Sequence, residues 1–166
     1  MNKNRYMPTL VCGFSAAVLT TIPGIKTFGC CVIVPVAVWF AFILDHRINK
    51  TEPTISTNKA FIFGILTGLF AALFTTLFDI IITLITHSND FVESLPQTES
   101  AMRSLNLGEI WEQTLTILKS MSKEITSNGF SLFYTIGTLF SNIIIDIIFG
   151  ILGGLLAMVL QNKKAK

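Results

Sequence analysis

The stretch AFIFGILTGLFAALFTTLFDIIITLIT, from Ala60 to Thr86, decides the fold class, and Asp79 is its only charged residue. A helix that crosses the roughly 30 Å hydrocarbon core of a bilayer needs about 20 mostly apolar residues, and this run exceeds that. A second long run, Phe130 to Leu160, meets the same test with Asp146 as its only charge. Two shorter runs lie ahead of them, Met7 to Ile22 and Phe28 to Leu44, with Pro23, Gly24 and Lys26 between. These predict two short spanning helices; a re-entrant hairpin is the other arrangement that length permits.

Composition points the same way. Hydrophobic residues make up 51% of the chain's 166 and charged residues 13%, about half the roughly 25% charge of ordinary soluble domains. A soluble fold of this size cannot hide so much apolar surface. The net charge of +2 gives no reason to expect nucleic acid as a partner. The expected fold is therefore an all-α integral membrane protein, one membrane domain over residues 1–166. Its four transmembrane helices fall at about 7–22, 28–44, 60–86 and 130–160.

Residues 91–127 read as an external amphipathic helical segment. Ser94-Leu95-Pro96 suggests a helix start and Gly108 a break. Beyond it Ile110, Trp111, Leu115, Leu118, Met121 and Ile125 recur near helical spacing, and Asn128-Gly129 closes the helix. Trp111 and Tyr134 at one level and Tyr6 at the other suit interfacial belts.

Lys3 and Arg5 before an apolar run resemble a signal peptide, but Ile22-Pro23-Gly24 follows in place of a small-x-small cleavage site, so the segment is read as retained. On the resulting map eight basic residues (Lys3, Arg5, Arg47, Lys50, Lys59, Lys163, Lys164, Lys166) share one side, and four (Lys26, Arg103, Lys119, Lys123) the other. Both termini are then expected in the cytoplasm.

Two internal echoes stand out. Gly13-x-x-Ala16-Ala17-x-x-Thr20-Thr21 matches Gly68-x-x-Ala71-Ala72-x-x-Thr75-Thr76 at an offset of 55, and Ile62–Leu73 agrees with Ile148–Val159 at eight of twelve positions. Duplication explains this; so does a sequence built from few residue types. Gly13-x-x-Ala16-Ala17, Ile22-Pro23-Gly24, Gly29-Cys30-Cys31, the glycine-rich third run and Gly150-Ile151-Leu152-Gly153-Gly154 together resemble a widespread group of small bacterial polytopic membrane proteins with a domain of unknown function. The likeness covers residues 10–45, 60–80 and 143–164. It implies a bacterial inner-membrane location and no particular activity.

Chemistry is sparse. Gly64, Gly68, Ala72, Thr75, Asp79, Thr83 and Thr86 form one stripe; Ser131, Thr135, Thr138, Asn142, Asp146, Gly150, Gly153 and Ala157 form another. Small residues let membrane helices approach and polar ones bond across the contact. Helical rise predicts Asp79 and Asn142 at matching depths, with Asp146 about 6 Å deeper. A carboxylate inside a bilayer costs about 2.5–3.5 kcal/mol near the centre and suggests function by default. Three readings stand: a polar clamp in which one or both of Asp79 and Asp146 are neutral and bond to Asn142, Thr75 or Thr83; a proton or cation path in which Asp79 and Asp146 bind the ion and Asn142 and Thr138 hydrate it; and an Asp79 that simply reaches the headgroups. Gly13, Gly64, Gly68, Gly150 and Gly153 are the expected packing positions.

Cys30 and Cys31 are either a thiol site or two small apolar residues. His46 and His87 lie on opposite sides and cannot share a metal, and Asp45-His46-Arg47 reads as a solvated turn. No HExxH, GxSxG, P-loop or GxGxxG occurs. The expectation is a non-enzymatic membrane subunit or accessory protein without cofactor or metal, packed against lipid and itself or a larger membrane complex. A small channel or transporter using Asp79 and Asp146 is the alternative.

Overall fold

In lipid a backbone must satisfy its own hydrogen bonds, and only a helix or a closed barrel does so. The apolar runs here become helices. A computed structural model describes residues 6–22, 25–50, 54–104 and 109–164. Its helices are α1 (Met7–Thr20), α2 (Val34–Asn49), α3 (Thr57–Thr86), α4 (Asp90–Ser104), α5 (Glu109–Asn128) and α6 (Leu132–Lys164). A 3-10 turn, Lys26–Phe28, and a π-turn, Gly29–Ile33, lead into α2. The expected landmarks Lys3, Arg5, Pro23, Gly24, Gly108 and Lys166 lie outside the described residues.

Three segments are long and apolar enough to cross a membrane: Gly29–Asn49, Thr57–Thr86 and Leu132–Lys163. α1, at 14 residues, is about 21 Å long and falls short of a roughly 30 Å core. The second helix corrects its expected limits of 28 and 44. It continues through Asp45-His46-Arg47 to Asn49 and stops where Lys50 turns left-handed, at φ 49°.

The chain forms two units, Met1–Phe78 with Leu139–Lys166, and Asp79–Thr138; α3 and α6 contribute to both. The first unit holds its core with small side chains. Ala16, Ala37, Ala41, Ala60, Ala71 and Ala157 are buried with Val34, Val38, Phe42 and Phe63, while Phe40, Ile62, Leu73, Ile144, Leu156 and Val159 point outward. Large residues outside and alanine inside is the order a lipid solvent favours, since only close backbone approach then holds helices together.

The glycines show how close. A Cβ on Gly64 would stand 2.5 Å from the Gly150 carbonyl oxygen. One on Gly68 would meet the Asp146 carbonyl, and one on Gly154 the Ala60 carbonyl. These approaches set α3 antiparallel to α6. Gly153 does not belong to that seam, as its spacing suggested: it faces α2, where a Cβ would sit 2.5 Å from the Pro35 Cα. Gly13 seats α1 on α3, with a Cβ position 2.7 Å from the Phe70 Cβ and 2.9 Å from the Thr67 oxygen. Phe14 then stacks edge-on against Phe74, ring centroids 5.1 Å apart. The echoed stretches of α1 and α3 therefore lie side by side, with Ala16, Ala17, Ala71 and Ala72 all buried between helices.

In the second unit Leu95, Trp111, Leu115 and Ile125 are buried, so Trp111 belongs to an interior rather than to an exposed belt. The cap of α4 is Asn89, not Ser94: its Oδ1 accepts the Val92 N–H at 3.0 Å, and Pro96 lies inside the helix. Asn wins because its side chain reaches the third amide of the first turn. Lys119 on α5 pairs with Glu99 on α4 at 2.8 Å. Gly129, at φ 70°, ends α5 where a Cβ would lie 3.0 Å from Leu84 backbone atoms.

Candidate functional site: polar groups among the membrane helices

The first unit carries two polar clusters. One links α1, α3 and α6. Thr20 Oγ1 donates to the Ala17 carbonyl at 2.8 Å and lies 3.2 Å from Thr75 Oγ1. Asn142 Nδ2 donates to Thr76 Oγ1 at 3.0 Å. Asp146 is buried one turn further along α6, its backbone against Gly68. Thr75, Asn142 and Asp146 are thus brought into one unit. Asn142 bonds Thr76 in the register that the glycine seam fixes. Asp79 and Thr138 belong to the second unit, where both are half-buried.

The π-turn borders this cluster. Gly29 is buried against Thr20, whose Cγ2 would lie 2.6 Å from any Cβ there. Cys30 and Cys31 follow, half-buried and exposed, with sulfurs 3.6 Å apart. Cys12 is buried on α1. It lines an apolar cleft of about 360 Å³ between α1 and α2 with Ala16, Val32, Ala37 and Phe40. Ser15 adds little polarity to the cleft because its hydroxyl donates to the Val11 carbonyl at 2.9 Å.

The second cluster was not expected. Asp45, only 2% exposed, pairs with Lys59 of α3 at 2.6 Å and accepts from Asn49 Nδ2 at 2.7 Å. The Lys59 ammonium sits 5.5 Å from the Phe63 ring centroid, and that ring stacks on Phe42 at 4.9 Å. Nearby in sequence, Asn162 of α6 grips Ile55 twice: its Oδ1 accepts the Ile55 N–H at 2.8 Å and its Nδ2 donates to the Ile55 carbonyl at 2.9 Å. A signal for Asp45 was present. Val34, Ala37, Val38, Ala41 and Phe42 form the buried stripe of α2, and Asp45 is its next position.

Among the described residues no group of three or more His, Cys, Asp or Glu side chains could hold a metal ion. What the geometry offers is helix-to-helix adhesion through hydroxyls, amides and one charge pair. An all-helical chain with three segments able to cross a bilayer, large apolar side chains outward and polar groups inward fits a membrane protein. The chain belongs to the family described as protein of unknown function (DUF4199), whose profile matches residues 9–158. Neither a curated protein nor a solved structure matches it.

Proposed function

We propose that the protein is a non-enzymatic integral membrane subunit of a bacterial inner membrane, with four membrane helices including the short α1. Its helices pack through small residues and polar clamps, and it associates with itself or with other membrane proteins. Both termini lie in the cytoplasm. The observation that carries this reading is the inter-helix bond pair, Thr20 with Thr75 and Asn142 with Thr76. Polar side chains that bond one another across helices act as glue, each such bond contributing about 0.6 kcal/mol in a membrane. Short α1 belongs to the bundle on this reading because Gly13 and Thr20 fasten it along α3.

Asp146 supplies the test. In a clamp, Asp146→Asn preserves shape, so the melting temperature in detergent should stay within a degree or two of wild type. Asp146→Leu should lower it, by about 1–3 kcal/mol of stability, because it adds bulk at a tight seam. Proton or sodium flux into reconstituted vesicles that vanishes in a folded Asp146→Asn variant would replace this reading with a cation path through Asp79 and Asp146.

A further inference from the structure

Side chains of adjacent residues do not face each other on a regular helix. Cys30 and Cys31 are adjacent, yet their sulfurs stand 3.6 Å apart. Both lie in the π-turn Gly29–Ile33, in which the Val34 N–H reaches back to the Gly29 carbonyl. π-turns are rare, and this one lies between a 3-10 turn and the start of α2. This one is seated firmly. Gly29 is buried against Thr20, which is itself bonded to α1 and α3, so the backbone beneath the two thiols has little room to shift.

The separation bears on how two thiols could act together. A disulfide needs sulfurs about 2.05 Å apart, shorter than the 3.6 Å contact between these two free thiols. A single soft atom with bonds to sulfur of about 2.3 Å spans 3.6 Å at an angle of roughly 100°. That angle suits a pyramidal three-bonded centre and is far from the linear geometry of two-coordinate ions. With two sulfurs and no third ligating side chain grouped with them among the described residues, a matching ligand must bring its own third substituent. Exposed Cys31 gives access, and exposed Lys26 one turn earlier places the pair at the start of the apolar segment.

We propose that Cys30 and Cys31 form a chelating dithiol site for thiophilic trivalent metalloids of the organoarsenical class. Binding is an exchange without redox change. For R–As(OH)2, two As–O bonds break and two As–S bonds form; the two thiol protons leave with the hydroxyls as two waters. Cys31, the exposed thiol, bonds first, and Cys30 closes the ring.

The probe is phenylarsine oxide, added to the purified full chain in detergent micelles and followed by intact mass and by competition with 1,2-ethanedithiol. Wild type should take up one phenylarsenic group per chain, released by the dithiol and held against the same concentration of a monothiol. Cys30→Ser and Cys31→Ser should each weaken binding by about 100-fold, the loss expected when the second bond is no longer intramolecular. Cys12→Ser should bind as wild type does, and the Cys30→Ser and Cys31→Ser variants should keep the wild-type melting temperature. Failure of wild type to bind, loss of binding in Cys12→Ser, or wild-type affinity in Cys30→Ser or Cys31→Ser would each overturn the assignment.

Discussion

Asp45 is a charge that the sequence hid in plain view. A carboxylate at 2% exposure is tolerable only with a paired and hydrogen-bonded partner, and Lys59 and Asn49 supply both. Removing Lys59 leaves the buried Asp45 carboxylate without its ion pair. Lys59→Met should therefore destabilise the protein by about 3 kcal/mol, the low end for a broken buried pair because the Lys59 side chain keeps a quarter of its exposure. The double variant Asp45→Leu with Lys59→Met should recover most of that loss, since no uncompensated charge remains. Thermal melts of the two variants in one detergent check this, and equal loss in both would show that the pair contributes by shape alone. Reading Asp45-His46-Arg47 as a solvated turn failed for a physical reason. Falling hydropathy marks where a helix leaves the apolar region, not where its hydrogen bonds end.

At the scale of helices, the small-residue seam was legible and its partners were not. Periodicity picks out Gly64, Gly68 and Gly150 as positions that need to be small, because a 3.6-residue repeat puts them on one face. It cannot say which neighbour each face meets. Gly153 sits three residues from Gly150 and yet meets α2, since α6 is wrapped on two sides. Asn142 likewise found Thr76 because three backbone approaches, not side-chain depth, set the register. The contrast with Gly137 makes a clean experiment. Gly68→Ala adds one methyl against rigid backbone at Asp146, whereas Gly137 has nothing within 4 Å. The first should cost about 1–3 kcal/mol; the second should be neutral or stabilising, as helical glycine is entropically costly. Equal melting temperatures for the two would place the α3–α6 seam elsewhere.

For the whole molecule, composition points to a bilayer protein, and the Lys and Arg distribution predicts an orientation. A reporter fused after Lys166 should be cytoplasmic and one inserted near Gln97 external. A cytoplasmic signal at Gln97 would invert the map. The span count was less legible, because α1 has the apolar character of a span but only 14 helical residues. Finally, the grip of Asn162 on Ile55 joins residues 107 positions apart. Synthesis runs from the amino terminus, so the connector between α2 and α3 exists long before the amide that holds it. Ile55 waits through the translation of four further helices, α3 to α6, before that amide is made. Locking of Ile55 is thus a late event of biogenesis: a nascent chain released before Asn162 would lack both of these bonds.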